Sequence, residues 1–215
     1  MIKKKRQVLK TLLLKNEAGL RYKEYLVIAD PHLGIEREYW AKGYEMPSQN
    51  KSILKRIKRI KKDSEKLIIL GDLKHNIPNI TIRERKEVPG FIEKLNKLFK
   101  EVIIIKGNHD GNLERLVNGV KKEHYVDDTA FIHGHTVSKK ALKSKKIIAG
   151  HTHPVYAYKN HLGLKQSKKC FIITDKIIIL PAFTELSAGS HELAKPLRKH
   201  ITNEERILLD HTKVK

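Results

Sequence analysis

The apolar positions of this chain come in short blocks rather than long stripes. Tyr25–Ala29, Leu67–Leu70, Val102–Ile105, Phe131–Ile132, Ile147–Ala149, Phe171–Thr174 and Ile177–Leu180 are brief runs rich in Ile and Val. Runs of this kind predict strands covered on both faces, where no polar position marks an exposed side. Between the early runs the period becomes that of an amphipathic helix. KSILKRIKRIKK, Lys51 to Lys62, puts Ile53, Leu54, Ile57 and Ile60 on one side and cations on the other. VPGFIEKLNKLFK, Val88 to Lys100, does the same with Phe91, Leu95, Leu98 and Phe99, and a shorter helix is expected over Asn112–Val117. Strand, helix, strand predicts α/β layering, and the closer runs after Phe131 predict a second, more antiparallel sheet. Val8–Leu14, followed by Asn16-Glu17-Ala18-Gly19 and Tyr25, predicts an opening hairpin. No linker or fixed-period repeat divides residues 1–215, which read as a single domain.

Composition narrows the class. With 40% hydrophobic and 32% charged residues, a chain of 215 can bury a real core, so general disorder is excluded. The one cysteine, Cys170, cannot form an internal disulfide. No apolar run approaches the roughly 20 residues that span a bilayer, and MIKKKRQVLK is followed by no apolar signal region. The expectation is a cytoplasmic protein with no membrane partner. Lys and Arg number 45 against 24 Asp and Glu, a formal charge of +21. Lysine-rich surfaces of hyperthermophile proteins usually balance Lys with Glu; here the excess makes nucleic acid or another phosphate-bearing ligand the first candidate.

Residues able to bind metal recur just after the apolar runs. YLVIA leads into Asp30-Pro31-His32, LIIL into Gly71-Asp72, and VIII into Lys106-Gly107-Asn108-His109-Asp110. AFI leads into His133-Gly134-His135, and KIIA into Gly150-His151-Thr152-His153. Singly, each is no more than a cap, a turn or a surface histidine. Five in order, each at a strand exit, can converge in the crevice beyond the strand ends.

This ordered set resembles the calcineurin-like metallophosphoesterase superfamily, whose pattern is D-x-H, G-D, G-N-H-D/E, H and G-H-x-H. ADPHLGIE and GDLKH look more like the SbcD-like nuclease subunits of double-strand-break repair complexes, and small archaeal phosphoesterases related to them, than like protein phosphatases. The phosphatases carry G-D-x-V-D-R-G, whereas Leu-Lys-His-Asn follows Gly71-Asp72 here. The resemblance implies a metallophosphoesterase αββα architecture, α/β (α+β) in class: two mixed β-sheets in a sandwich flanked by helices. It also implies two divalent metal ions, Mn²⁺ first, with Fe²⁺, Zn²⁺, Co²⁺ and Ni²⁺ as alternatives.

By the same resemblance Asp30, His32 and His153 would hold one ion, Asn108, His133 and His151 the other, and Asp72 would bridge them. Hydrolysis would then use a metal-bridging hydroxide. His109 would assist the leaving group, Asp110 would orient His109 or cap the next helix, and His75 would touch the phosphate, assist the leaving group or be a plain loop histidine. In His133-Gly134-His135 the first histidine is taken as the ligand because it stands at the strand exit. The expected activity is a phosphodiesterase or nuclease acting on nucleic acid or a nucleotide. The alternatives are a small-molecule nucleotide or cyclic-nucleotide phosphohydrolase and a non-catalytic nucleic-acid-binding module. The loop from Gly34 to Pro47, with Tyr39, Trp40, Tyr44, Arg37 and Lys42, either stacks bases or packs on the sheet edge; Pro181–Ser190 is a candidate rim. Partner proteins and oligomeric state stay open.

Overall fold

The computed structural model describes residues 12–77 and 79–214. Of the hairpin expected to open the chain, residues 8–11 lie outside them; within them Leu13 bridges Leu20 antiparallel across the turn, and Leu14 N donates to the Gly19 carbonyl at 2.9 Å. The first sheet runs β1 (Gly19–Tyr22), β2 (Tyr25–Ile28), β3 (Lys66–Leu70), β4 (Glu101–Ile105) and β5 (Val120–Lys121), with β2 to β5 parallel. The short α1 (Glu36–Ala41) follows β2, and packed against one face are α2 (Asn50–Lys61) and α3 (Ile82–Asn96).

The second sheet holds β6 (Glu123–Val126), β7 (Thr129–Ile132), β8 (Lys146–Ala149), β9 (Val155–Lys159), β10 (Lys165–Ile173), β11 (Ile177–Ile179), β12 (Glu205–Leu208) and β13 (Lys213–Val214). Its β7, β8 and β11 are parallel neighbours and its other pairings antiparallel. Two short helices, α4 (Lys139–Lys143) and α5 (Lys195–Arg198), cover its outer face.

Alternation along each strand explains why the runs carry no polar positions. Val27, Ile68, Leu70, Ile103 and Ile105 face Phe131, Ile148, Phe171 and Ile178 between the sheets. Their neighbours Leu26, Ile28, Leu67, Ile69 and Ile104 turn the other way, onto Ile53, Ile57, Phe91 and Leu95 of the helices. Both faces are buried, and the layers read helix, sheet, sheet, helix. Among the described residues no helix is long and apolar enough to cross a membrane.

Three elements differ from the sequence expectation. The helix expected from Val88 begins at Ile82, because Thr81 and Glu84 form a reciprocal capping box: Glu84 N donates to Thr81 Oγ1 and Thr81 N to Glu84 Oε2. Pro89 therefore lies inside the helix rather than in its first turn. The stretch Asn112–Val117 forms only a short 3₁₀ turn, Leu113–Arg115, entered through Asn112 at φ 60°. Glu36–Ala41, expected as loop, is α1.

Candidate metal centre

Parallel pairing aligns the carboxyl ends of β2, β3 and β4 along one edge of the first sheet and those of β7 and β8 along an edge of the second. The two edges are stitched together. His133 Nδ1 donates to the Leu70 carbonyl at 2.9 Å, and the His151 amide donates to Asp30 Oδ2 at 2.9 Å. The Phe183 amide donates to the Ala29 carbonyl at 2.8 Å. All five motifs therefore open into one cleft.

The backbone in the cleft is unusual. Asp30, His32, Asp72, His151 and His153 take φ of 53°, 46°, 46°, 69° and 47°. For a residue with a Cβ, left-handed backbone costs about 1–2 kcal/mol, and it persists only where the surroundings impose it. Each turn swings its side chain inward at a strand exit.

Three groups of donors result; one is His32, His75 and His109, and the other two share a residue. Asp30, His32, Asp72 and His153 bring one ligand atom each within 4.8 Å of one another, and Asp72, His133 and His151 do the same. Asp72 belongs to both. Asn108 Oδ1 lies 3.0 Å from His133 Nε2, at the edge of the second cluster. Asp30, His32, Asp72 and His133 are buried, whereas Asn108 is exposed, so the cleft opens on that side.

The donor set fits divalent ions. Asp30 Oδ1 is buried without a hydrogen-bond partner, 3.4 Å from His133 Nδ1 and 3.6 Å from His153 Nε2. His32 Nε2 and His153 Nε2 stand 3.3 Å apart. His153 Nδ1 is turned to the Ala188 carbonyl at 3.3 Å, so it is the Nε2 lone pair that faces His32. Two imidazole nitrogens that close share either a proton or a cation. A mixed set of imidazole, carboxylate and amide oxygen ligands suits borderline metals.

Electrostatics agree with that reading. Burial pulls the pKa of His32 down to about 3 despite the fields of Asp30 and Asp72. Burial, then the positive His133, brings His151 to about 4. Both rings thus keep free lone pairs at neutral pH. Burial also opposes charge on His133, but its hydrogen bond with Asp72 and the field of Asp30 prevail and raise it to about 9. Burial disfavours an ionised Asp72 too, yet His133 and His32 hold that carboxylate below its usual range. A proton is thus held where a cation would sit, and ligand binding of a metal must displace it.

The remaining expected site residues are placed as follows. His109 Nδ1 donates to the His75 carbonyl at 2.6 Å, and its amide donates to Asp72 Oδ1 at 2.8 Å. Asp110 does not orient that ring: its Oδ2 accepts from Gly107 N at 2.8 Å and its Oδ1 from Lys74 N at 3.2 Å. It is buried, which lifts its pKa to about 6, and it ties the β4 loop to the β3 loop instead of capping a helix. His75 has both ring nitrogens engaged, Nδ1 with His32 Nδ1 at 3.2 Å and Nε2 with Glu38 at 2.9 Å. His135 lies with its ring 5.1 Å from that of His133 and is in neither cluster. The loop Pro181–Ser190 does line the rim, through Ala188 on His153 and through Leu186, whose carbonyl accepts from Tyr39 Oη. Arg37 is committed to Glu87 and Thr81 rather than open to a ligand.

Sequence reasoning passed over Glu38 and Lys74. Lys74 is fully buried with its ammonium on the Asn76 carbonyl, and nothing in a lysine following Gly-Asp-Leu signals that. Gly107 had a readable signal. A Cβ there would collide with the Asp72 carboxylate and amide, so only glycine lets β4 pass beside it. Gly107→Ala is expected to displace Asp72 and lower turnover on the order of 100-fold with an unchanged circular dichroism spectrum; an unaltered rate would mean Asp72 tolerates the shift.

Carboxylates and imidazoles converging where two stacked sheets abut define a metal-binding cleft of the hydrolase type. The chain belongs to the calcineurin-like phosphoesterase family, whose model matches residues 24–170; its members are metal-dependent hydrolases of phosphate esters. The fold is shared with nuclease MPE of Pseudomonas putida, at 24% identity over 90% of each chain and a TM-score of 0.64. More distant matches include YfcE, a phosphoesterase from E. coli, at 17% identity over 89% of this chain and 96% of that one, TM-score 0.42. Another is Vps29 of Entamoeba histolytica, in a zinc complex, at 17% over 77% and 79%, TM-score 0.39. No curated protein matched.

Proposed function

We propose that this protein is a phosphodiesterase that hydrolyses nucleic acid or nucleotide phosphodiester bonds with two divalent ions, Mn²⁺ first. The observation that carries the reading is the pair of ligand clusters sharing Asp72. Asp30, His32, Asp72 and His153 would hold one ion; Asp72, Asn108, His133 and His151 the other. Bound there, such ions acidify a water and neutralise developing charge on the phosphoryl oxygens.

The rest falls to the chain's own groups. With His109 Nδ1 donating to the His75 carbonyl, Nε2 is the nitrogen left for substrate. A proton on it passes to the leaving oxygen as the P–O bond breaks. The His75 carbonyl, which accepts from Nδ1, keeps that ring in place.

For the substrate, the net charge of +21 favours a polyanion. Trp40, in the last turn of α1, and Tyr44, beyond its end, are exposed, with the Arg83 guanidinium 5.1 Å from the Trp40 ring centroid, and aromatics with cations stack bases at about 1–3 kcal/mol each. That the Pseudomonas putida protein of like fold is a nuclease is in keeping with this. The test is hydrolysis of bis(p-nitrophenyl) phosphate and of single-stranded DNA by chelator-stripped protein with Mn²⁺ restored, at low and high salt. Both should be cleaved, with the DNA reaction collapsing in salt as phosphate contacts are screened. Trp40→Ala is expected to raise KM for a single-stranded oligonucleotide about tenfold and leave the small diester nearly unchanged. Trp40 is the one tryptophan, so its fluorescence should quench on oligonucleotide binding. Cleavage of the small diester alone would shift the reading to a nucleotide phosphohydrolase; no cleavage of either with metal bound would overturn it.

A further inference from the structure

His75 is a junction whose partners on every side are specific. Its amide donates to the Leu33 carbonyl at 3.2 Å, and its own carbonyl accepts from His109 Nδ1. The segment is pinned from below, because the buried Glu84 accepts from Asn76 N at 3.2 Å and Lys74 donates to the Asn76 carbonyl. The ring is a bridge between two elements: Nδ1 meets His32 Nδ1 at 3.2 Å, and Nε2 meets Glu38 Oε1 at 2.9 Å. Glu38 comes from α1, the helix that begins a few residues after His32.

The donors and acceptors along this bridge determine one another. A carboxylate can only accept, so His75 Nε2 carries the hydrogen that reaches Glu38. In the neutral ring that leaves a lone pair on Nδ1, which accepts from His32 Nδ1–H. His32 is then left with its lone pair on Nε2, the atom that lies 3.3 Å from His153 Nε2 and 3.7 Å from Asp72 Oδ2. The opposite arrangement, with the proton on His32 Nε2, would aim a hydrogen at the place where a cation must go. Metal-binding histidines generally need such a partner on the other ring nitrogen to fix tautomer and ring orientation.

We propose that Glu38 is a positioning residue, acting through His75 to hold the His32 imidazole with its Nε2 lone pair facing the Asp30–His32–Asp72–His153 cluster. This rests on the metal-dependent reading above and adds to it a residue outside the motifs. It also makes the influence local. The cluster of Asp72, His133 and His151 has its own support in the Leu70 carbonyl, which accepts from His133 Nδ1, and owes nothing to Glu38. Glu38 is itself 58% exposed at the side chain, so its removal should not weaken the fold.

The experiment is calorimetric titration of Mn²⁺ into chelator-stripped wild-type, Glu38→Ala, Glu38→Gln, His75→Ala and the Glu38→Ala/His75→Ala double variant, with thermal midpoints measured on the same metal-free samples. Glu38→Ala is expected to weaken one of the two binding events by about 10–100-fold, leaving the other and the thermal midpoint as in wild type. Glu38→Gln, which keeps an oxygen acceptor for Nε2–H, should restore most of that loss. The double variant should lose no more than His75→Ala alone, as expected for two groups in one chain of contacts. Unchanged affinity in Glu38→Ala, equal weakening of both events, or Glu38→Gln falling as far as Glu38→Ala would each overturn the proposal. None of these touches the metal-dependent reading, which stands or falls on the wild-type titration and its turnover.

Discussion

Asp72→Ala is expected to empty both halves of the metal centre and abolish turnover. Asp72 is the one residue common to the two ligand clusters, and its second oxygen accepts from the His109 amide at 2.8 Å. Removing it leaves His133 and His32 without the carboxylate 3.4 and 3.7 Å away that offsets their burial. Metal-ion stabilisation of a phosphoryl-transfer transition state is worth several kcal/mol, so the rate should fall on the order of 10³-fold or more. Elemental analysis after desalting should find neither ion retained. Retention of both ions at wild-type stoichiometry would show that Asp72 does not bridge.

His109→Ala should separate chemistry from binding. Its ring is in neither of the two Asp72-containing clusters, so metal content and Mn²⁺ affinity should match wild type. Turnover should fall about 10²–10⁴-fold, the range for losing a positioned proton donor. The size of the loss should depend on the leaving group. p-Nitrophenolate departs with little help, so bis(p-nitrophenyl) phosphate should be affected least, while a nucleotide alkoxide, which must be protonated as it leaves, should be affected most. Equal losses on both substrates would remove His109 from proton donation and make it a phosphate contact.

Some of this was legible before any coordinates. Each short Ile/Val run became a strand because burial on both faces leaves no polar position to interrupt it, and Lys51–Lys62 became α2 because its apolar period closes one face. The motif residues at the exits of β2, β3, β4, β7 and β8 were visible as an ordered series, since a polar residue ending an apolar run stands out locally. The start of α3 was also written in the chain, in the Thr81–Glu84 spacing, although the apolar period of Phe91, Leu95, Leu98 and Phe99 marks only the part from Val88 on. Asn112–Val117 shows the limit of local periodicity: a left-handed Asn112 and the Asp110 anchor turned an apparent helix into one 3₁₀ turn.

What the sequence by itself determined is therefore the layered scaffold and the identity of the residues that leave it toward one edge, because both depend on burial and spacing within a few neighbours. Which atoms of those residues meet was decided only by tertiary structure. Glu38 has no motif, and it gains a role because α1 returns it to a histidine 37 positions further on. Asp110, beside His109 in sequence, is turned away from its ring by two backbone amides, one from another loop. His133 and His135 are two residues apart, yet only His133 lies between the Leu70 carbonyl and Asp72. Hydrogen bonds fix direction over about 3 Å, and the pairing of two sheets sets which groups come within that range.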